Sequence, residues 1–186
     1  MKEHFLISIK MMLVFTVITG IIYPLVTTGF AQLVFHAQAN GSLVRVHGHI
    51  AGSRLIGQAW TGPRYFHGRP SAGGYQGLSS GGSNFGPTSR AFIEKIRQRA
   101  AAWQKRTGSS QPIPADLVEA SFSGLDPDIS PAAALYQAPR VARARRLSLA
   151  AVQALIRRYT HGRTLGMIGS PAVNVLQLNL ALDRLP

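Results

Sequence analysis

The residues best suited to chemistry lie between positions 61 and 88, a stretch dense in glycine, serine, proline and aromatic side chains. Its centre reads Ser79-Ser80-Gly81-Gly82-Ser83-Asn84. Consecutive backbone amides in a glycine-rich turn can cradle a phosphate, and serine hydroxyls with Arg69 or Arg90 would add donors. Gly81 and Gly82 can equally serve only to allow a tight turn. We favour the tight turn, since the sequence does not show a helix beginning at this loop.

Other catalytic arrangements are weakly supported. Ser123, His161 and Asp126 could form a hydrolytic triad, but they lack the Gly-x-Ser-x-Gly turn that exposes such a serine. Phosphoryl transfer needs a glycine-rich phosphate loop with its own lysine. Lys95 and Lys105 are the only lysines after position 35, and neither follows such a loop. We therefore expect no enzymatic activity from this chain on its own.

Metal binding is also not expected. His47 and His49 would share one face of a strand, at a spacing that could hold a metal ion. No third ligand is obvious in the sequence, and such a pair is more often a plain surface feature. Cysteine is absent, which excludes disulfides and thiolate metal sites.

The element that must position the rest of the chain is an N-terminal apolar segment. Residues 11–35 contain no charged side chain. As a helix they would extend about 37 Å, enough to cross a hydrocarbon core of about 30 Å. A cleaved signal peptide ending at Ala37-Gln38-Ala39 is the alternative, but its apolar region would be unusually long. We predict a short N-terminus over residues 1–10, a transmembrane helix over 11–35 and a single domain over 36–186.

Pro24 lies inside this segment, among small and hydroxylated residues. In water a proline here would break the helix. In a membrane, neighbouring helices or threonine hydroxyls can satisfy the carbonyl that proline leaves without a donor. Gly20 and Gly29 would also let a partner helix approach closely.

Residues 36–186 carry 18 basic against six acidic side chains, a net charge of +12. The arginines are dispersed and no nucleic-acid-binding motif is present, so anionic phospholipid or a neighbouring subunit is the favoured partner. Lys2 and Lys10 before the apolar segment nearly balance Arg45 and Arg54 after it. Charge alone therefore leaves the orientation of the helix open.

The pattern of apolar residues predicts a mixed α+β domain. Short strands are expected in residues 43–50 and 54–59. An amphipathic helix with Trp103 on its apolar face is expected to begin at Pro87-Thr88 or at Ser89 and to end at Gly108. Further helices are expected over 131–137, over 140–145 after Pro139, and from Ser148 to Gly162. Residues 173–183 alternate like a strand, but the alternation slips at Val175-Leu176, which leaves a bulged strand or a helix open.

The 61–88 stretch is expected to be ordered despite its composition. Tyr65, Phe66, Tyr75 and Phe85 are interleaved with its glycines, and aromatic rings give a loop something to pack against. A flexible linker would lack them. We therefore predict an ordered functional loop.

Short motifs along the whole chain carry a resemblance to a known family. They include Leu55-Ile56-Gly57-Gln58, Tyr65-Phe66-His67-Gly68-Arg69-Pro70-Ser71, Ser80-Gly81-Gly82-Ser83-Asn84, Ser123-Gly124-Leu125-Asp126-Pro127, Gln137-Ala138-Pro139-Arg140 and Leu178-Asn179-Leu180-Ala181-Leu182. In this order, behind one apolar segment, the chain resembles the C subunit of the Kdp-type potassium-transporting P-type ATPase. It departs from the pattern at Phe85, Phe122, Asp128 and Ser170.

The resemblance implies a non-catalytic, single-pass subunit of the inner membrane, with a cytoplasmic N-terminus and a periplasmic domain. The implied partners are a channel-like potassium-binding subunit, a P-type ATP-hydrolysing subunit and a small membrane peptide. The implied role is to stabilise the complex and raise the ATP affinity of the catalytic subunit. The alternative is a membrane-anchored extracytoplasmic binding module or hydrolase.

The resemblance likens the Ser-Gly-Gly stretch to nucleotide-contacting signatures, but no cofactor is expected to be bound, and ATP would be reached only through the complex. A domain on the far side of the membrane from the nucleotide cannot touch it, so coupling through the helices is expected. The residues expected to contact a partner or an anion are Tyr65, Phe66, Arg69, Ser80, Gly81, Gly82, Ser83, Asn84 and Arg140.

Overall fold

The computed structural model describes residues 2–185 and divides into two compact units, the first ending at Leu43 and the second beginning at Val44. The first unit is dominated by one continuous helix from Lys2 to Val34, whose most apolar part has a mean hydropathy of 2.3. It comprises α1 (Lys2–Val17), a π-helical stretch (Ile18–Ile22) and α2 (Tyr23–Val34), and α3 (His36–Ala39) follows. No residue between positions 2 and 34 is buried in the chain. The helix is long and apolar enough to cross a membrane.

Pro24 does not break this helix, because the backbone widens just before it. The π-helical stretch ends at Ile22, and the Tyr23 amide donates to the Ile18 carbonyl, one residue further back than in an α-helix. The Thr27 hydroxyl donates to the carbonyls of Tyr23 and Pro24, at 2.8 and 3.1 Å. A local change of helical pitch thus accompanies the proline, together with threonine bonds to nearby carbonyls.

A hairpin of β1 (Leu43–Val46) and β2 (His49–Ser53) follows. Its two turn residues, His47 and Gly48, have φ of 49° and 82°. Two consecutive left-handed residues are what a tight hairpin turn requires. His47 therefore lies in the turn and not on a strand with His49. The strand predicted over residues 54–59 was wrong, because this segment is a turn followed by irregular backbone.

A second, antiparallel sheet has the strand order β3-β5-β4. Its strands are β3 (Asp128–Ile129), β4 (Thr160–His161) and β5 (Ala172–Asn174). The chain changes from β5 directly to α7 (Val175–Leu182), where the alternation of apolar residues slips. The Asn174 side chain caps this helix by accepting from the Gln177 amide at 3.1 Å. The phase slip therefore marked a change from strand to helix.

Three longer helices belong to the same domain. The first, α4 (Arg90–Thr107), begins after Ser89 and ends at Gly108, whose φ of 67° closes it, as predicted. The others are α5 (Pro131–Arg145) and α6 (Leu149–Arg158), and Ser130 and Ser148 cap their N-termini. The prediction of two helices around Pro139 was wrong. Pro139 has no amide hydrogen, so the Leu135 carbonyl loses the donor that it would have in a regular helix. Both residues are exposed, so water can bond to that carbonyl and the helix continues.

The hydrophobic core lies where these helices meet the three-stranded sheet. Its fully buried side chains include Phe66, Leu117, Val141, Val152, Ile156, Val173, Leu178 and Leu182. Phe66 belongs to the loop between β2 and α4, so this loop contributes an aromatic side chain to the core. The α+β class, with one apolar N-terminal helix before a mixed domain, is confirmed.

Candidate functional site

Two buried amide side chains hold the backbone at residues 66 and 67. Asn179 accepts from the Phe66 amide at 2.8 Å and donates to the Phe66 carbonyl at 2.9 Å. Gln137 accepts from the His67 amide at 2.8 Å and donates to the His67 carbonyl at 3.0 Å. Each side chain thus reproduces the pair of hydrogen bonds that a neighbouring strand would make. Both Asn179 and Gln137 are 0% exposed.

Arg140 holds the same segment from α5. Its guanidinium donates to the carbonyls of Gly62, Pro63 and Tyr65 at 3.2, 2.7 and 2.8 Å. A fourth bond, of 3.0 Å, goes to the Gln137 side chain, one helical turn earlier. Arg140 is only 6% exposed. Its charge is therefore met by carbonyl dipoles inside the domain.

Arg145, at the end of α5, is the fourth side chain that holds this segment. It donates to the Arg64 carbonyl at 2.7 Å and pairs with Asp183 at 2.6 Å. Its guanidinium also lies 4.9 Å from the centre of the Tyr65 ring, a cation–π contact. We call Gln137, Arg140, Arg145 and Asn179 the clamp, and residues 62–67 the clamped segment.

Arg69, just beyond the clamped segment, bonds to the turn that contains Asp126. It pairs with Asp126 at 3.2 Å, and its own carbonyl accepts from the Tyr75 hydroxyl. Asp126 in turn accepts from the Asp128 amide at 3.0 Å, which joins this turn to β3. Burial, together with the Asp126 carboxylate, raises the pKa of Tyr75 to about 12. Tyr75 therefore stays a neutral hydrogen-bond donor across the physiological pH range.

The Ser-Gly-Gly stretch packs against residues 122–124 at the domain surface. The Ser123 carbonyl accepts from the Ser80 hydroxyl at 3.0 Å and from the Gly81 amide at 2.8 Å. A Cβ atom on Gly82 would lie 2.9 Å from the Phe122 carbonyl oxygen, so glycine is required there for close packing. Ser83 is half-buried, and Asn84 is exposed with φ of 52°. The Gly81 amide is thus already bonded, which favours the tight turn over a phosphate cradle.

A cleft lined by arginines and aromatic rings lies beside the clamped segment. Two adjoining cavities, of about 480 and 280 Å³, share Trp60, His67 and Arg106 as lining residues. Arg140 lines the larger cavity, and Arg69, Tyr75, Arg99 and Trp103 line the smaller one. Their lining includes no aspartate or glutamate among the residues that the structure describes. We call this pair of cavities the basic cleft.

The charges of the basic cleft lie close to one another. The guanidinium carbons of Arg106 and Arg140 are 5.5 and 5.7 Å from the Trp103 ring centre. Burial, and then the Arg106 charge, lower the pKa of Arg140 to about 10, so it remains charged at neutral pH. Burial lowers the pKa of His67 to about 4, and Arg140 and Arg106 add to this effect. His67 is therefore neutral, and its Nε2 donates to the Gly62 carbonyl at 2.8 Å.

The structure brings only some of the predicted site residues together. Tyr65, Phe66 and Arg140 meet at the clamp, where Phe66 is 0% exposed, and Arg69 lines the neighbouring cleft. The Ser80 to Asn84 loop instead packs on the 122–124 turn. Sequence reasoning missed Gln137, Arg145, Asn179 and Arg106 as site residues. Arg106 stands one helical turn after Trp103, the one available signal that a cation would reach that ring.

The weakly supported catalytic and metal arrangements find no support in residues 2–185. Asp126 pairs with Arg69, and the Ser123 hydroxyl oxygen accepts from the Leu125 amide at 3.1 Å. No hydrogen bond of the described chain joins either of them to His161. Over the same residues, no group of three or more potential metal ligands occurs.

Comparison with known proteins gives a consistent result. The family model described as "K+-transporting ATPase, c chain", KdpC, matches residues 5–184. A potassium-transporting ATPase KdpC subunit of Methylococcus capsulatus is 53% identical over 189 residues, covering 100% of both chains. The KdpC subunit of Acidobacterium capsulatum is 52% identical over 98% of this chain and 99% of its own. That of Gemmatimonas aurantiaca is 53% identical over 100% of this chain and 94% of its own.

The clamp predicts that replacing one of its side-chain amides greatly lowers the free energy of unfolding. Asn179→Leu keeps the approximate shape of the side chain but leaves both backbone groups of buried Phe66 without partners. Each unsatisfied buried group costs about 1–3 kcal/mol, so we expect unfolding to become easier by roughly 3–5 kcal/mol. Urea unfolding of the full chain in detergent, followed by tryptophan fluorescence, measures this change. The exposed Gln104→Leu is the matched control and should unfold within about 0.5 kcal/mol of the unmodified chain.

The environment of His67 predicts a pH-dependent stability. Its pKa is about 4 in the folded domain and 6.5 in the unfolded chain. Below pH 6.5 only the unfolded chain takes up the proton, so stability falls from pH 6.5 down to about pH 4 and is fully present above 6.5. The expected loss is roughly 2–3 kcal/mol. The urea midpoint should vary less over this range in His67→Gln, whereas His161→Gln, at an exposed position, should follow the unmodified chain. Equal slopes in all three proteins would contradict this assignment.

Proposed function

We propose that this chain, which belongs to the KdpC family of potassium-transporting ATPase c chains, is a non-catalytic accessory subunit that stabilises assembly of the ATP-driven potassium uptake complex. Family membership rests on the match over residues 5–184 and makes the chain a subunit of that ATPase. The observation that carries the proposed role is the long apolar helix from Lys2 to Val34, whose surface no other part of the described chain covers. Such a helix needs lipid and partner helices.

The absence of a catalytic role is supported by how the polar residues are used. Polar side chains that could do chemistry are committed to holding the fold: Asp126 to Arg69, Gln137 and Asn179 to the clamped segment. His67 donates to a backbone carbonyl. Hydrolysis of ATP and binding of potassium then fall to other subunits: a P-type ATP-hydrolysing subunit and a channel-like potassium-binding subunit, joined by a small membrane peptide.

The apolar helix offers surfaces for those partners. A Cβ atom added to Gly20 or Gly29 would meet nothing within 4 Å in this chain, so both glycines present open backbone. Glycine on a helix surface in a membrane lets a second helix approach closely. Gly20 also lies in the π-helical stretch, where the helix surface is widened. We place the contact with the channel-like subunit here.

The effect on ATP affinity is proposed to act at a distance. The proposed topology puts the N-terminus in the cytoplasm and the mixed domain in the periplasm, on the other side of the inner membrane from ATP. This chain can then change ATP affinity only through a coupling free energy, because it favours one conformation of its partners. ATP is therefore not expected to bind to the isolated chain.

The assembly role is tested with a pair of substitutions on adjacent residues. Gly20→Leu fills the open surface, so we expect the other ATPase chains to co-purify poorly from detergent-solubilised membranes of potassium-starved cells. Ile21→Leu keeps an apolar side chain and should co-purify normally. Complex purified without this chain should need about fivefold or more ATP for half-maximal, potassium-stimulated hydrolysis.

A tagged chain that purifies alone under gentle conditions would contradict the assembly role. An unchanged ATP requirement in complex that lacks the chain would contradict the coupling to ATP affinity and leave the assembly role in place.

The topology is tested by labelling, since the chain has no cysteine of its own. Ser110→Cys, at an exposed loop position, should react with a membrane-impermeant maleimide added to spheroplasts. Lys2→Cys should react only after permeabilisation. The reverse pattern would place the domain in the cytoplasm.

A further inference from the structure

The basic cleft contains positive charge that no carboxylate of the described chain balances. Among residues 2–185 neither Arg106 nor Arg140 forms an ion pair. Their guanidinium carbons lie 5.5 and 5.7 Å from the centre of the Trp103 ring. Arg99 lines the smaller cavity, as does Arg69, whose charge Asp126 balances. Like charges gathered in a partly desolvated site repel one another. A bound anion would relieve that repulsion.

The geometry points to a new binding site, in which the basic cleft holds a phosphate group carried on a small organic body. This site is separate from the Ser-Gly-Gly loop and does not depend on the proposed assembly role. Its central residue is Arg106, which reaches both cavities.

Arg106 is the side chain that remains available for a ligand. It is exposed, and the contact that the structure gives it is the cation–π contact with Trp103. A guanidinium stacked on a ring keeps its edge free to donate paired hydrogen bonds to phosphate oxygens. Arg140, by contrast, donates three hydrogen bonds to the clamped segment. Its buried Nε has no hydrogen-bond partner in the described chain. It contributes fixed charge, held rigidly by the fold.

The walls of the cleft suit an organic body attached to the phosphate. Trp60 and Pro63 line the larger cavity, whose volume of about 480 Å³ exceeds what a bare ion needs and falls in the range of small-molecule sites. His67 is bonded to Gly62 and neutral, so it adds a polar edge without charge. The cleft therefore fits a phosphate ester, from a soluble metabolite or from a lipid head group.

Intrinsic fluorescence can report binding directly, because both tryptophans of the chain, Trp60 and Trp103, line the cleft. The full chain in detergent is titrated with glycerol phosphate at constant ionic strength, with sodium chloride as the blank. We expect a saturable change in the unmodified chain. Arg106→Gln should weaken binding about tenfold or more, since it removes a charged hydrogen-bond donor. Arg97→Gln, an exposed arginine on the same helix, should bind like the unmodified chain.

A second titration distinguishes a soluble phosphate ester from a lipid head group. The same titration is made in nanodiscs of phosphatidylcholine with and without phosphatidylglycerol. If a lipid head group occupies the cleft, phosphatidylglycerol will compete and abolish the response to glycerol phosphate. If the ligand is soluble, the dissociation constant will be equal in both nanodiscs.

The site is overturned if the unmodified chain gives no saturable change, or if Arg106→Gln and Arg97→Gln bind equally well. Thermal unfolding of both variants confirms that they are folded. Co-purification of the other ATPase chains with Arg106→Gln is measured in parallel. Normal assembly with lost phosphate binding supports the site, and failure of the site leaves the proposed assembly role untouched.

Discussion

The domain depends on one requirement: an irregular segment that enters the core at Phe66 must have its backbone hydrogen bonds satisfied. The clamped segment enters the core at Phe66 without a neighbouring strand, so the amide and carbonyl of that residue would be left unpaired away from water. Asn179 and Gln137 each supply a donor and an acceptor in one side chain, and Arg140 meets three carbonyls from one planar group. Helices α5 and α7 must then lie at fixed positions on either side of the segment. The arrangement of helices around the three-stranded sheet follows from this demand as much as from apolar packing.

This solution has an electrostatic consequence. Arg140 is buried against carbonyl oxygens, so it brings a positive charge into the domain without a carboxylate to balance it. Arg145 differs, since Asp183 balances it. Together with Arg106, the unbalanced charge of Arg140 makes one side of the clamped segment positive. The lowered pKa of His67 is a direct effect of that environment, because burial and the two nearby arginines all disfavour its protonated form. Arg140 thus both holds the clamped segment and contributes to the positive charge of the basic cleft.

Much of the fold could be predicted from local pattern, and much of the site could not. Helix α4 followed from its apolar face and from Gly108, and the slip at Val175-Leu176 contained the change from strand to helix. Helix α5 was misjudged at Pro139, because only the structure shows that the freed carbonyl faces water. The site depends on pairs such as Phe66 and Asn179, separated by 113 positions. No periodicity links residues so far apart, so the resemblance marked their motifs as important without revealing that they contact each other.

The long separation between the clamp and its segment also affects the order of events during synthesis. The clamped segment leaves the ribosome well before Gln137, and Asn179 follows 113 positions after Phe66. Until α5 emerges the clamped segment lacks Gln137 and Arg140, and until α7 emerges Phe66 lacks its backbone partner Asn179. Closing so large a loop is slow. The apolar helix is made first and can enter the membrane while the rest of the chain is still unfolded. Completion of the domain is therefore a late step, and a chaperone that shields the exposed loop would act during that interval.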